Sequence, residues 1–158
     1  MPLSARAVGR LFVSAQIILL GALVLLPGAR HWVDPPAVVN FAHAAALAGL
    51  VIVAVAALGL GSALTATPVP KAHAGLRTGG LYRVTRHPIY SGVLLFVIGT
   101  VVASGSVWKL GLGVVTVVFF NVKARWEESQ LRSAYPGYAA YAEHTPRFIP
   151  HPRLRRRS

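Results

Sequence analysis

The chain contains no cysteine. Disulfides, thiolate metal ligands and a cysteine nucleophile are thereby excluded, and cysteine usage gives no reading of the redox compartment. Acidic residues are scarce too: four Asp and Glu stand against 16 Lys and Arg, for a formal net charge of +12. Charged residues of both signs make up only 13% of the 158, about half the roughly 25% of an average soluble domain. Apolar residues take their place. They form 54% of the chain, and the mean hydropathy is +0.57. This length fits a single domain. The positive charge alone would suit a nucleic-acid partner. In so apolar a chain it has another explanation, the enrichment of Lys and Arg on the cytoplasmic side of membrane proteins.

Four apolar segments set the expected architecture, at about residues 11–26, 37–64, 88–104 and 107–122. The fold expected is all-α, a polytopic membrane protein with about four transmembrane helices and a cytoplasmic C-terminal helical segment, all in one domain. At 1.5 Å per residue the shorter segments reach roughly 24 Å, a little under the hydrocarbon thickness. Local thinning or snorkelling ends close that gap. The second segment is longer than needed and is expected to tilt or to extend past the membrane. A cleaved signal peptide is the alternative for the first segment, since Arg6 and Arg10 precede it. Pro27-Gly28-Ala29-Arg30 is a poor small-x-small cleavage site, and an uncleaved span is favoured.

Charge gives the orientation. With a cytoplasmic N-terminus and four spans, every one of the 16 basic residues except Arg30 and Lys109 falls inside. That asymmetry places both termini in the cytoplasm and accounts for the basic balance without nucleic acid. The tail Arg153-Leu154-Arg155-Arg156-Arg157 either touches anionic headgroups or is a solvated terminus.

Polar residues concentrate in two stretches on the same side, Thr65–Pro88 and Lys123–Ser158. Within the spans, Ala45, Ala48, Gly49, Gly59 and Gly61 enrich the second in small residues, which let helix backbones approach closely. Asn40 and His43 share a face of that helix near its outer end. Interfacial or helix–helix hydrogen bonding is their expected role, although polar groups at membrane depth raise a functional hypothesis. Ser104–Ser106 is a tight turn, so spans three and four form a hairpin whose ends bring the two polar stretches together.

The first stretch ends Thr85-Arg86-His87-Pro88-Ile89-Tyr90-Ser91-Gly92. Proline suits a first helical turn, so span three is expected to start at Pro88 with His87 at or near its N-cap. The free N–H groups there favour an anion. Gly92, one turn in, lets a ligand or another helix come close. The second stretch begins Lys123-Ala124-Arg125-Trp126-Glu127-Glu128 and reads as span four continuing into a helix that stops near Pro136-Gly137. Taken alone, Lys123 with Glu127 and Glu128 with Arg132 are expected to pair at i,i+4 spacing. Tyr135, Tyr138 and Tyr141 follow at three-residue spacing, a pattern more often a packing face than a cofactor site.

Together, Arg86-His87-Pro88-Ile89-Tyr90-Ser91-Gly92 and the later Glu127-Glu128 resemble the hallmark of the isoprenylcysteine carboxyl methyltransferase and phospholipid methyltransferase superfamily. Tyr135-Pro136-Gly137-Tyr138-Ala139-Ala140-Tyr141 and Pro146-Arg147-Phe148-Ile149-Pro150 match its Gly/Tyr stretch and proline-bounded close. The resemblance runs from about Thr78 to Pro150. It implies S-adenosylmethionine held between segments 78–92 and 123–150, and a lipophilic acceptor entering from the bilayer. By motif position His87, Tyr90, Gly92, Glu127 and Glu128 carry over as cofactor-binding residues, with Tyr138 and Tyr141 of the Gly/Tyr stretch. Arg86, His87 and Glu128 carry over as the catalytic set. Methyl transfer by in-line displacement calls for no metal, and positioning and water exclusion supply the rate. An amine or hydroxyl acceptor also calls for a base, such as His87 or a glutamate.

Membrane sterol reductases share His-Pro-x-Tyr but follow it with Gly-Glu and use NADPH. Here Val93 follows Gly92, which favours the methyltransferase. A non-catalytic accessory membrane protein is the remaining alternative. The Ala-, Val-, Gly- and Arg-rich composition has a bacterial character, and an inner-membrane location is expected. Isoprenylated cysteine, phospholipid amines, quinone-like lipids and lipophilic thiols stay open as acceptors.

Overall fold

The computed structural model describes residues 4–27, 29–61 and 75–150. Among them are five α-helices and no strand: α1 Ala5–Leu25, α2 Pro36–Leu60, α3 Pro88–Ser104, α4 Val107–Ala134 and α5 Tyr138–His144. A short 3₁₀ turn, Gly80–Arg83, precedes α3. Helices α1, α2 and α4 are long and apolar enough to cross a membrane, and α3 is a shorter apolar helix. The packing has the inverted character of a membrane protein. Large apolar side chains such as Ile17, Phe41, Leu58 and Val118 are exposed, whereas Lys123, Glu127, Glu128 and His87 are buried. In water such an outer surface would drive association; in lipid it is the solvated face.

Local chemistry sets the helix ends. Helix α1 starts about a turn and a half before the apolar run at Leu11. The Ser4 side chain accepts from the Ala7 N–H and caps the helix there. A hydropathy boundary does not see that cap, because Arg6 and Arg10 make the first turns polar. Helix α2 ends at Leu60 rather than residue 64. Gly61 adopts φ +53°, a conformation that favours glycine, and residues 62–64 lie outside the described residues. So do Lys71 and the basic tail, on which part of the expected charge asymmetry rests. Helix α3 begins at Pro88 with His87 as N-cap. Helix α4 runs unbroken past the apolar stretch and ends at Ala134, with Tyr135 already extended because it precedes Pro136.

Helices α2 and α3 approach closely. The buried residues of α2 are Ala42, Gly49 and Ala56, seven apart and therefore on one face. A Cβ on Gly49 would sit 2.5 Å from the Gly92 carbonyl oxygen, and one on Gly92 2.6 Å from that of Gly49. A Cβ on Gly99 would collide with the Ala42 carbonyl. The close approach at Gly92 is thus that of another helix. Of the small residues noted in the second span, Gly49 is in this contact, while Ala48 and Gly59 are exposed. Composition marks a helix as close-packing; only the seven-residue spacing picks the face. Asn40 and His43 are both exposed, near the start of α2.

At the other end, Gly105 turns α3 into α4 with φ +61°. Its carbonyl accepts from the backbone N–H groups of His31 at 2.7 Å and Trp32 at 3.3 Å. The connection between α1 and α2 is thereby fastened across the hairpin. Leu23, Val97, Val101 and Phe120 form the apolar core between α1, α3 and α4, joined towards the polar end by Tyr90 and Ala124.

Candidate functional site

The hairpin delivers the start of α3 and the polar third of α4 to the same end of the bundle, and residues 145–148 strap across both. Backbone N–H groups of Arg86 and His87 donate to the carbonyls of Pro146 at 2.8 Å and Arg147 at 3.1 Å. The Thr85 hydroxyl donates to the Arg147 carbonyl at 2.6 Å, and Ser91 to that of Phe148 at 2.7 Å. Proline at position 88 carries no N–H, so α3 opens with fewer donors to satisfy. The strap uses the groups just upstream. Tyr141, on α5, donates to the Tyr82 carbonyl at 2.6 Å, which ties the 3₁₀ turn to the same assembly.

Inside this frame lies a cluster of buried charge. Glu128 is 4% exposed. Its carboxylate receives both arms of Arg147, Nε on Oε1 and a terminal nitrogen on Oε2, each at 2.8 Å. Arg86 reaches Oε1 at 3.2 Å, and so does His87 Nε2. Two guanidiniums and an imidazole therefore converge on one carboxylate, the bidentate pair being the strongest geometry of the set. The bond to Glu128 raises the pKa of Arg147 above its ordinary value. Arg86 also donates to the Ala142 carbonyl of α5 at 2.6 Å.

Glu127 lies about 100° further round α4. Its carboxylate accepts a short hydrogen bond from the Tyr90 hydroxyl and lies 3.7 Å from His87 Nδ1. Whichever ring nitrogen of His87 bears the proton, it faces a carboxylate. The imidazole is stacked on the Tyr90 ring, with an interplanar angle of 1°. Tyr138 is 1% exposed and packs edge-on to Tyr141. Burial raises the pKa of the Tyr138 hydroxyl well above its ordinary value and takes that of Tyr141 to about 12, so both are neutral donors across the physiological range.

Arg86, His87, Tyr90, Glu127, Glu128, Tyr138 and Tyr141 are thus brought to one place. Gly92 packs against α2 instead. The i,i+4 pairing of Glu128 with Arg132 does not form. Arg132 lies over the Tyr138 ring, 5.8 Å from its centre, and Glu128 is taken by residues distant in sequence. Arg147 joins the cluster although sequence reasoning gave it no role. Its place in the Pro146–Pro150 close was visible, but 19 residues separate it from Glu128. Thr85 and Ser91, which hold the strap, carried no signal of their own.

The fold and this site define a polytopic helical membrane protein with an ionic centre at one end of the bundle. The sequence pattern of the phospholipid methyltransferase family matches residues 38–137, which take in nearly all of α2, then α3, α4 and both motifs. Two plant proteins from Arabidopsis thaliana are similar. Protein-S-isoprenylcysteine O-methyltransferase A is 32% identical over 136 residues, 83% of this chain and 67% of that protein. Protein-S-isoprenylcysteine O-methyltransferase B is 34% identical over 80 residues, 49% of this chain and 41% of that protein. The chain belongs to the phospholipid methyltransferase family.

Proposed function

We propose that the protein transfers a methyl group from S-adenosylmethionine to a lipophilic acceptor at the cytoplasmic face of a plasma membrane, with both termini inside. The observation that carries the reading is the pair of buried donors beside Glu128 that have no hydrogen-bond partner, Arg86 Nε and the Tyr138 hydroxyl. Such groups cost free energy unless a ligand satisfies them. Two unpartnered donors beside two buried carboxylates fit a zwitterion, the form of the methionine end of this cofactor. Arg86 and Tyr138 would hold its carboxylate, and Glu127 its cationic or hydroxyl groups. When bound, the cofactor supplies a methyl carbon already activated by a sulfonium.

The chain's own contribution is then positional. The strap of residues 145–148 and the stacked His87–Tyr90 pair fix the walls, and Glu128 holds Arg86, His87 and Arg147 in register. Water is excluded by the burial of the cluster. For an acceptor that must lose a proton, such as an amine, His87 is the base within reach of both carboxylates. A carboxylate acceptor, the group methylated on an isoprenylcysteine, requires none. Calorimetry on the detergent-purified protein tests the reading: S-adenosylmethionine and S-adenosylhomocysteine should bind saturably and NADPH should not. Saturable NADPH binding with no response to either adenosyl ligand would overturn it. Mass spectrometry of lipid extracts incubated with methyl-labelled cofactor then identifies the acceptor.

A further inference from the structure

Lys123 and Glu127 stand four apart on α4, the spacing at which Lys and Glu ordinarily pair on a helix. In this protein the two feel each other's charge but form no direct ion pair, and each has another hydrogen-bond partner. The buried Lys123 ammonium donates to Gln16 Oε1 of α1 at 2.5 Å and lies 5.1 Å from the centre of the Tyr90 ring and 5.8 Å from that of Phe120. Glu127 accepts from Tyr90 and faces His87. An ammonium has three donors and no acceptor, and in this apolar setting its alternative to Gln16 is the nearest carboxylate, Glu127. Gln16 lies on α1, outside residues 38–137 matched to the family. Its neighbours Ala15 and Ile17 are apolar, and its contact with Lys123 is a polar tie between α1 and α4, which otherwise meet through rings such as Phe12 with Phe119 and Trp126.

We propose that Gln16 is a positioning residue: by holding Lys123 on the α1 side it keeps the Glu127 carboxylate open to the cationic end of the cofactor. The inference rests on the methyltransferase reading above and deepens it. Without Gln16 the ammonium turns to Glu127 and competes inside the chain for the same carboxylate. Loss of Gln16 should therefore weaken cofactor binding only while Lys123 is present. A role confined to packing α1 against α4 predicts the reverse, since removing the lysine as well would repair nothing.

The test is calorimetric binding of S-adenosylmethionine and S-adenosylhomocysteine to four proteins in detergent: wild type, Gln16→Leu, Lys123→Met and the double variant. Gln16→Leu should raise Kd about tenfold, the scale of one charge-assisted hydrogen bond. The double variant should return to within about twofold of Lys123→Met, because the competing cation is gone. Gln16→Glu keeps an acceptor for Lys123 and should bind within about twofold of wild type, and a tenfold loss there overturns the inference; Gln16→Ala, which also removes the acceptor, replaces Gln16→Leu in the comparison if the leucine variant does not fold. Equal affinity of wild type and Gln16→Leu, or a double variant as weak as Gln16→Leu, also overturns it while leaving the methyltransferase reading intact. A wild-type protein that binds neither ligand overturns the methyltransferase reading and this inference with it.

Discussion

Helices α2 and α3 meet through missing side chains, whereas α3, α4 and the C-terminal strap meet through charge. At the first contact Gly49, Gly92 and Gly99 bring two backbones together, and any added carbon would strike backbone. At the second, Glu128 gathers Arg86, His87 and Arg147 from two separate stretches. The difference follows from the surroundings. Within the bilayer no hydrophobic force drives helices together, so van der Waals packing of small residues does the joining. At the end of the bundle the apolar stretches give way to charged residues, and a buried charge is held by its partners. The first contact therefore serves as scaffold. The second is also a scaffold, but it leaves two donors without partners, which is why it is the site proposed for the cofactor.

The comparison can be broken first at its charged side. Glu128→Ala strands Arg86 and Arg147 at a largely buried position and should cost about 3 kcal/mol or more of stability, read as a lowered melting temperature in detergent, with methyl transfer reduced beyond detection. The double variant Glu128→Ala/Arg147→Ala should lose less than the sum of the two single losses, because the two side chains form one bidentate pair. Strict additivity would show that the pair is not the organising contact.

The packed side breaks differently. Gly92→Leu must push α2 and α3 apart and should cost about 1–3 kcal/mol through overpacking. The loss should appear in melting temperature, while the folded fraction still binds S-adenosylmethionine. A large rise in Kd with unchanged melting would place Gly92 at the ligand rather than at the helix contact.

Tyr90→Phe sharpens the comparison within the site. It removes one hydrogen bond to Glu127 and preserves the ring stacked on His87, so stability should change by about 1 kcal/mol or less and cofactor Kd should rise several-fold. The smallest perturbation tests which end faces which compartment. The cysteine-free chain accepts single cysteines, and in intact cells Val33→Cys should label with an impermeant maleimide whereas Ser133→Cys should not. Labelling of Ser133→Cys from outside would place the charged site on the opposite side of the membrane from that proposed.

Much of the fold was legible because hydrophobicity and helix-end chemistry are local. Pro88 announced the start of α3, Pro136 the end of α4, and the short Ser104–Ser106 link required a hairpin. The ends of α1 and α2 were misplaced where a capping serine and a left-handed glycine, rather than hydropathy, decided them. The motifs named most of the residues that come together around Glu128, but local rules did not name the hydrogen-bond partners they take. Pairing at i,i+4 gave Glu128 to Arg132 and Glu127 to Lys123, since neighbouring helical positions are all that a linear pattern can compare.

By itself, then, the sequence determined the number of apolar helices, the hairpin, and the two motifs that had to arrive at the same end. These follow from the periodicity, length and turn chemistry of single segments. Only the tertiary structure decided that Gly92 faces α2, that Arg147 and Arg86 clasp Glu128, and that Lys123 donates to Gln16. Each of those choices is a competition between partners far apart in the chain. It is settled by which groups are close once the helices have packed, and in an apolar setting a buried charge goes to the nearest group able to satisfy it.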